Sequence, residues 1–580
     1  MLRRLLGVCL LVLWGGAAAA LEATRAPEAA TGVTAKTLAV AVKHMIVAAN
    51  PIAAEAGREI LRQGGSAVDA AIATQLVLGL VEPQSSGLGG GAFIVTWDAT
   101  AKEVKTYDGR EMAPASAKPD RFLRDGKPMD FVDAVHSGLS VGVPGVVRVL
   151  ELMHAKHGKL PWAKLFAPAI KLAEDGFPLT ERTNRLLALE KAEKFSPAAR
   201  GYFFEDTGLP KAAGSTIKNA EYAATLKLIA ANGAKAFYKG PVADAIVAAV
   251  EAAPVAKGDL GLADLAGYQA KERPPVCTEY RTHKICGMGP PSSAALTIGQ
   301  TLKMIEPFAE VHGADQTMTP VALNLIAEAE RLAYADRSKY IADPDAVSVP
   351  TGLLDQAYLD ERRKLIDPGH AAASVAAGLP PGLSKRTSGA DATFEAAGTS
   401  HISIVDDNGN AVAMTTTIES AFGSHLWAAG FLLNNQLTDF SFLPADKEGV
   451  IIANAVGGGK RPRSSMAPTL FFDAKGGFEG ATGSPGGSRI ILFVIKSLVA
   501  MLDWSMNAQE AAALMNFGNE GKAFVYEPDS PYLPQALKMT DYGHAISGEL
   551  MSSGVHTVMV RNGHLEGGAD PRREGVALGD

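Results

Sequence analysis

The sequence predicts a mixed α/β fold, and three stretches carry that expectation. In residues 399–417, Thr399, His401, Ser403 and Val405 alternate with Ser400, Ile402 and Ile404, and a polar Asp406–Asn410 turn leads into a returning strand from Ala411 to Thr417. That alternation is the period-two signature of a β-hairpin. Residues 51–80 instead hold apolar side chains at helical spacing, interrupted by Gly64-Gly65. Ala92-Phe-Ile-Val-Thr-Trp97 adds a short strand behind a glycine run. At 580 residues and 47% apolar content, the chain can build several domains or one large layered one.

At the N-terminus, Arg3-Arg4, an apolar run from Leu5 to Trp14 and the small residues Ala17 to Ala20 predict a signal peptide over residues 1–20, cut near Ala20. The expected location is periplasmic or secreted. The run is too short to cross a bilayer, so no membrane span is expected after its removal. A net charge of −7 without a basic run argues against a nucleic-acid partner. Cys9 leaves with the signal. Cys277 and Cys286 flank a predicted hairpin, where a disulfide is favoured over two free thiols in an exported protein. No metal and no cofactor are expected, because two cysteines without clustered histidines lack the ligand count of a zinc site.

The next elements follow in order. Pro51 to Gln63 predicts a helix, and Ser66-Ala-Val-Asp69 a capping box opening a very apolar helix to about Leu80. Gly87-Leu-Gly-Gly-Gly-Ala92 satisfies the dinucleotide fingerprint, but a strand follows where that site needs a helix, so the run reads as a turn where backbones pack closely. Arg110 ends a predicted hairpin, a place where a lone arginine is usually solvated. Helical patterns run from Val141 to about Ala252, with loops at Gly158, Gly176 and Gly208. Gly289-Pro-Pro-Ser-Ser293 caps a helix to about Ile305, and Val321 to Ala342 is a long amphipathic helix. Its charges (Glu328, Glu330, Arg331, Asp336, Arg337) are expected on a solvated face. Residues 366–398, rich in Ala, Gly, Pro and Ser, read as a flexible tail.

Register decides what faces Thr399. A two-residue Asn408-Gly409 turn sets Ile418 opposite it; a three-residue loop with Gly409 in the left-handed position sets Thr417 there, with Thr415 and Glu419 on the same face. A threonine opening a strand becomes a nucleophile if the chain breaks before it, since its freed α-amine, with a reference pKa of about 7.7–8.0, can act as its base. Ser464-Ser465 read locally as a turn. Gly483-Ser-Pro-Gly-Gly-Ser488 precedes a helix and forms an anion nest suited to phosphate or to an oxyanion. The histidines are scattered without a Ser-His-Asp pattern, and His401 reads as structural.

The run Thr399 to Thr417 resembles the small-subunit start of the gamma-glutamyltransferases. So do Leu432-Leu-Asn-Asn-Gln-Leu-Thr-Asp-Phe440, Lys460-Arg-Pro-Arg-Ser-Ser-Met-Ala-Pro468 and Gly483-Ser-Pro-Gly-Gly-Ser488; Asp108-Gly-Arg-Glu-Met-Ala-Pro114 and Gly87 to Phe93 resemble the large subunit. The resemblance spans nearly the whole chain after residue 35. It implies an N-terminal-nucleophile hydrolase αββα sandwich, formed jointly by two chains from one precursor cut at Gly398-Thr399. The large subunit is residues 21–398 and the small catalytic subunit 399–580. It implies that Thr399, aided by Thr417, takes the γ-glutamyl group of glutathione or a related compound and passes it to water or to an amino acid or peptide amine. It assigns Arg110, Ser464 and Ser465 to the α-carboxylate, Gln436, Asp439 and Glu419 to the α-ammonium, and the amides of Gly486 and Gly487 to the oxyanion hole. The matching lid, Phe440 to Arg463, departs from many members in having no tyrosine. The alternatives are a cephalosporin or glutaryl-amide acylase on the same fold, and an exported binding protein without activity.

Overall fold

Two seven-stranded antiparallel sheets stack face to face in a computed structural model that describes residues 32–383, 388–393, 395 and 398–580. The predicted signal segment lies outside the described residues. The strands that matter here are β1 (Ala39–Ala41), β2 (Met45–Ala48), β3 (Gly91–Asp98), β4 (Glu103–Gly109), β5 (Lys271–Arg273), β6 (Val276–Tyr280) and β7 (His283–Gly287). They continue with β8 (Gly398–Val405), β9 (Ala411–Glu419), β10 (Thr469–Phe472), β11 (Phe478–Gly483), β12 (His556–Arg561), β13 (His564–Ala569) and β14 (Val576–Gly579). One sheet runs β14-β2-β8-β9-β3-β4-β5 and the other β1-β13-β12-β11-β10-β7-β6. Both sheets therefore mix strands from either side of Gly398, so neither half of the chain could form its sheets alone.

Alternation along β8 sorts the layers. Ile402 and Ile404 point to an outer core with α1 (Pro51–Arg62) and α2 (Ala67–Val81), while Val405 joins Val47, Val95, Leu470 and Val558 between the sheets. The second outer layer is α3 (Ala294–Ile305), α4 (Pro320–Tyr340) and α5 (Ile490–Leu502), packed on Tyr280, Ile285 and Phe471. The result is the expected αββα sandwich. Among the described residues, no helix is long and apolar enough to cross a membrane. Cys277 and Cys286 pair across β6 and β7 as a disulfide.

Local details follow the sequence closely. Ser66 and Asp69 form the capping box of α2. The glycine run packs backbone on backbone: a Cβ on Gly89 would lie 2.1 Å from the Leu432 carbonyl oxygen, and one on Gly90 2.0 Å from that of Thr417. The hairpin uses the three-residue loop. Asp406 N–H bonds the Asn410 carbonyl at 2.9 Å, Gly409 has φ +77°, and Thr399 pairs with Thr417.

The solvated face expected on α4 is a correction. Glu328, Glu330, Arg331, Asp336 and Arg337 are all buried. The segment after residue 366, which forms neither helix nor strand in its described part up to Gly398, lies across that face and bonds to it. Glu328 accepts the Ala372 N–H at 2.8 Å, Asp336 accepts the Gly378 N–H at 2.8 Å, and the Ser338 carbonyl accepts the Asp391 N–H at 3.1 Å. Periodicity separates polar from apolar faces, but it cannot see that a polar face is covered by a polar strap.

Asp406 holds the hairpin that sets the register. Its carboxylate accepts the N–H groups of Asn408 at 2.9 Å, Asn410 at 3.0 Å and Ala67 at 3.1 Å. Asp406→Ala strands the buried Ala67 N–H, at about 1–3 kcal/mol, and frees the half-exposed loop amides that fix the turn. It should lower the thermal midpoint and slow any maturation at Gly398-Thr399; calorimetry and a gel time course check both.

Candidate active site

Thr399 is the second residue of β8 and is 3% exposed. Its hydroxyl donates to Thr417 Oγ1 at 3.3 Å, and the Thr417 hydroxyl donates to the carbonyl oxygen of Gly398 at 2.5 Å. Thr417 Oγ1 also accepts the Glu419 N–H at 2.8 Å. The carbonyl before Thr399 is thus polarised by the residue that the bulged hairpin places opposite. Glu419, at the end of β9, takes φ +79°. Gly398 has no room for a side chain, since a Cβ would sit 2.4 Å from the Glu419 carbonyl oxygen. On the Thr399 face, His401 bonds Thr415 Oγ1 at 2.8 Å and Ser403 Oγ at 3.1 Å. Burial depresses its pKa well below the ordinary value. It is a neutral, occupied structural residue.

Nine predicted site residues line one cavity: Thr399, Thr417, Arg110, Glu419, Gln436, Asp439, Ser464, Ser465 and Gly487. Gly486 is not among the lining residues; it stands one position behind Gly487, at φ +142° with the Phe493 ring where a Cβ would go. The two glycines form the turn into α5, at the nest the sequence singled out.

Arg110 is 1% exposed rather than solvated. Its guanidinium donates to Asp439 Oδ2 at 2.5 Å, to the Arg463 carbonyl at 2.7 Å and to the Pro462 carbonyl at 3.2 Å. The turn after β4 delivers it: Asp108 accepts the Arg110 N–H at 2.8 Å and pairs with Arg273 and Arg461. Gln436 Nε2 also donates to Asp439 Oδ2, at 2.7 Å. Asp439 Oδ1 and Gln436 Oε1 are buried acceptors without a hydrogen-bond partner. Burial pushes the Asp439 carboxyl well above the usual carboxylate range, Arg110 opposes the shift, and Glu419 and Glu395 add to it. Glu419 accepts from Asn435 and, at 2.6 Å, from the Ser420 hydroxyl.

Four residues of the site escaped the sequence reading. Glu395 lines the cavity, where its carboxylate accepts the Ser465 hydroxyl at 2.5 Å and meets Arg337 and, at 3.4 Å, Arg463. Burial pushes its pKa up, but the Arg337 and Arg463 charges and the Ser465 bond outweigh this and hold it at about 2. Arg337, from α4, also donates to Ser465 Oγ at 2.6 Å and to Ser293 Oγ at 2.8 Å. Glu111, behind Arg110, is raised to about 7 by burial. Arg463 and Glu111 stand in quoted motifs without a role assigned to them, and Arg337 among the helix charges; Glu395 sits in a stretch with no local pattern. Ser464 Oγ caps locally, accepting the Met466 N–H at 3.1 Å. The segment from Phe440 to Arg463 is held against the site: Asn454 Nδ2 donates to the Asp439 carbonyl at 2.7 Å and to Asp391 at 2.9 Å.

A four-layer sandwich whose central strand opens with a buried hydroxyl residue defines the class of N-terminal-nucleophile hydrolases. The family model described as Gamma-glutamyltranspeptidase matches residues 53–580. The chain belongs to that family. It is 36% identical over 545 residues to the glutathione hydrolase proenzyme of Escherichia coli (strain K12), covering 92% of this chain and 91% of the relative. It is also 33% identical over 564 residues to the acylase ACY 1 proenzyme of Pseudomonas sp. (strain V22), covering 95% and 96%. Among solved structures, the cephalosporin acylase of Bacillus halodurans matches with a TM-score of 0.81 at 25% identity, covering 96% of this chain and 99% of that one.

If the Thr417 hydroxyl activates the Gly398 carbonyl, Thr417→Val should slow cleavage of the precursor by about 10²–10³, the usual weight of one such donor. Thr417→Ser should restore most of the rate. Densitometry of uncut chain against time separates the two.

Proposed function

We propose that this protein is a self-processing γ-glutamyltransferase and glutathione hydrolase acting through Thr399. The observation that carries the reading is the pair of unpartnered buried acceptors, Asp439 Oδ1 and Gln436 Oε1, in the cavity that also holds Arg110 and Thr399. A buried acceptor without a donor is costly, and an α-ammonium supplies the missing donors. The α-carboxylate of the same group meets Arg110 with the Ser464-Ser465 turn, by the fork geometry that guanidinium and carboxylate share.

Maturation begins when Thr399 Oγ attacks the Gly398 carbonyl carbon. The hydroxyl proton passes to the amide nitrogen, the C–N bond breaks and an ester joins Gly398 to Oγ. Water then hydrolyses the ester, leaving a carboxylate on Gly398 and a free α-amine on Thr399. Thr417 stabilises the developing oxyanion through the bond it already makes to the Gly398 carbonyl. Once cut, Glu395 is tethered on one side only, and its withdrawal exposes Ser465 and Arg337 to a substrate carboxylate.

In turnover the Thr399 amine takes the hydroxyl proton, and Oγ attacks the γ-carbonyl of the substrate. The amides of Gly486 and Gly487 receive the oxyanion, and the proton passes to the leaving amine. The γ-glutamyl ester is then released to water, or to the amine of an amino acid or peptide. Buried Asp439 and Arg110 hold the α-carbon end fixed while the γ-carbonyl changes partners. The Cys277-Cys286 disulfide supports the predicted export to an oxidising compartment, the periplasm or the medium.

The likeness to cephalosporin acylase over 96% of the chain favours a second reading, hydrolysis of glutaryl amides. The two differ in the α-ammonium, which a glutaryl group lacks. Leaving one side of a buried charged pair empty costs about 2–5 kcal/mol. Asp439→Asn should therefore lose most γ-glutamyl activity while penalising glutaryl amides less. The measurement is kcat/KM for a γ-glutamyl and a glutaryl anilide on fully cut protein. An unchanged ratio would give the site to the acylase reading.

A further inference from the structure

Outside the Thr399 cavity, two histidines and a glutamate converge at the seam between the two halves of the chain. His136 follows the helix Phe131–Val135, Glu190 follows the helix Glu181–Leu189, and His425 lies in the loop beyond β9. One ligand-capable atom from each lies within 4.8 Å of the other two. The His136 and His425 rings are 4.4 Å apart between centroids.

His425 is held rigidly. Phe195 stacks flat on its ring with centroids 4.0 Å apart, and its carbonyl accepts the Ser196 N–H at 3.1 Å. The residue is 1% exposed, its Nδ1 makes no well-formed hydrogen bond, and the Ala421 carbonyl is the backbone group that faces its ring. A phenylalanine would fill this aromatic pocket without stranding a polar nitrogen. Burial keeps both rings in the neutral form that ligates metals, with His136 lowered to about 4 and His425 well below its ordinary range. His136 also faces the Val132 carbonyl, the kind of partner that fixes the tautomer of a ligating imidazole.

We propose that His136, Glu190 and His425 bind one divalent transition-metal ion of the zinc class. Two imidazoles and one carboxylate are a donor set that suits zinc, with water completing the shell on the half-buried Glu190 side. Tetrahedral zinc bonds of about 2.0–2.2 Å place ligand atoms about 3.3–3.6 Å apart, so the side chains must draw in by about 1 Å from the present spacing of up to 4.8 Å. Lys194 is the cation that acts on all three groups, and it must turn toward solvent when the ion enters. His136 and Glu190 precede Gly398 and His425 follows it, so the ion ties the large chain to the small one. That bridging role rests on the proposed cut; the site itself does not.

The test uses the whole purified protein, stripped with a chelator and titrated with Zn²⁺ by calorimetry and with Co²⁺ by visible absorption. The expected result is about one ion per molecule, with the intense bands of low-coordinate cobalt bound by nitrogen and oxygen. His136→Asn and Glu190→Gln should each weaken binding by more than about tenfold, and Lys194→Ala should tighten it. Zn²⁺ should raise the thermal midpoint of wild type but not of the first two variants; their circular dichroism without metal checks the fold. No stoichiometric binding, or binding indifferent to these substitutions (an adventitious ion only), overturns the proposal. Loss of chain cutting with metal binding intact would remove only the bridging role.

Discussion

The bond from the Thr417 hydroxyl to the Gly398 carbonyl is the contact around which the rest of the structure is arranged. It exists because β8 and β9 are joined by three residues and not two, which depends on Gly409 in the left-handed region and on the Asp406 carboxylate beneath the loop. A one-residue slip would turn Thr417 to the other face and set Ile418 against Thr399. The strands on either side defend the same register: β2 pairs with β8, and β3 with β9 from Ala411 opposite Trp97 to Thr417 opposite Gly91. The close glycine packing at Gly89 and Gly90 brings the Asn434–Asp439 loop against the end of β9. One register thus aligns the candidate nucleophile, the Thr417 hydroxyl and the residues proposed to read the substrate.

The walls of the cavity are ionic, and they come from segments far apart in the chain. Arg110 arrives from the turn after β4, Arg337 from α4, Asp439 from the turn at Gln436–Asp439 and Arg463 from the Lys460–Pro468 stretch, each paired or hydrogen-bonded. Buried ion pairs seldom add much net stability because of the desolvation they cost. Their value here is positional: every charge has a fixed partner, and only the Asp439 and Gln436 oxygens face the cavity without a hydrogen-bond donor among the described groups. The inter-sheet layer changes character accordingly. It is apolar around Val47, Val95 and Val558 and turns polar at His401, Ser403 and Thr415 beneath Thr399.

Much of this was legible in the sequence because it is local. Strict alternation located the hairpin, the Ser66-Asp69 spacing located a helix start, and the strand after Gly91 excluded a nucleotide site. Motif resemblance supplied the cavity residues, which local pattern alone left as turns and a lone arginine. What was not legible depends on coverage at long range. The charges of α4 obey helical spacing, yet the strap after residue 366 covers Glu328, Arg331, Asp336 and Arg337 while Asn519 meets Glu330, and nothing in that strap's composition announces its path. Glu395 was missed for the same reason: its partners Arg337 and Arg463 lie 58 and 68 residues away.

The central claim is that Thr399 cuts its own precursor and then does the chemistry. Intact-mass spectrometry of purified wild type and Thr399→Ala tests it most directly. The account predicts two chains from wild type, the smaller running from Thr399 to Asp580, and a single uncut, inactive chain from the variant. Cleavage of Thr399→Ala at the same bond, or an active wild type that is never cut, would contradict it.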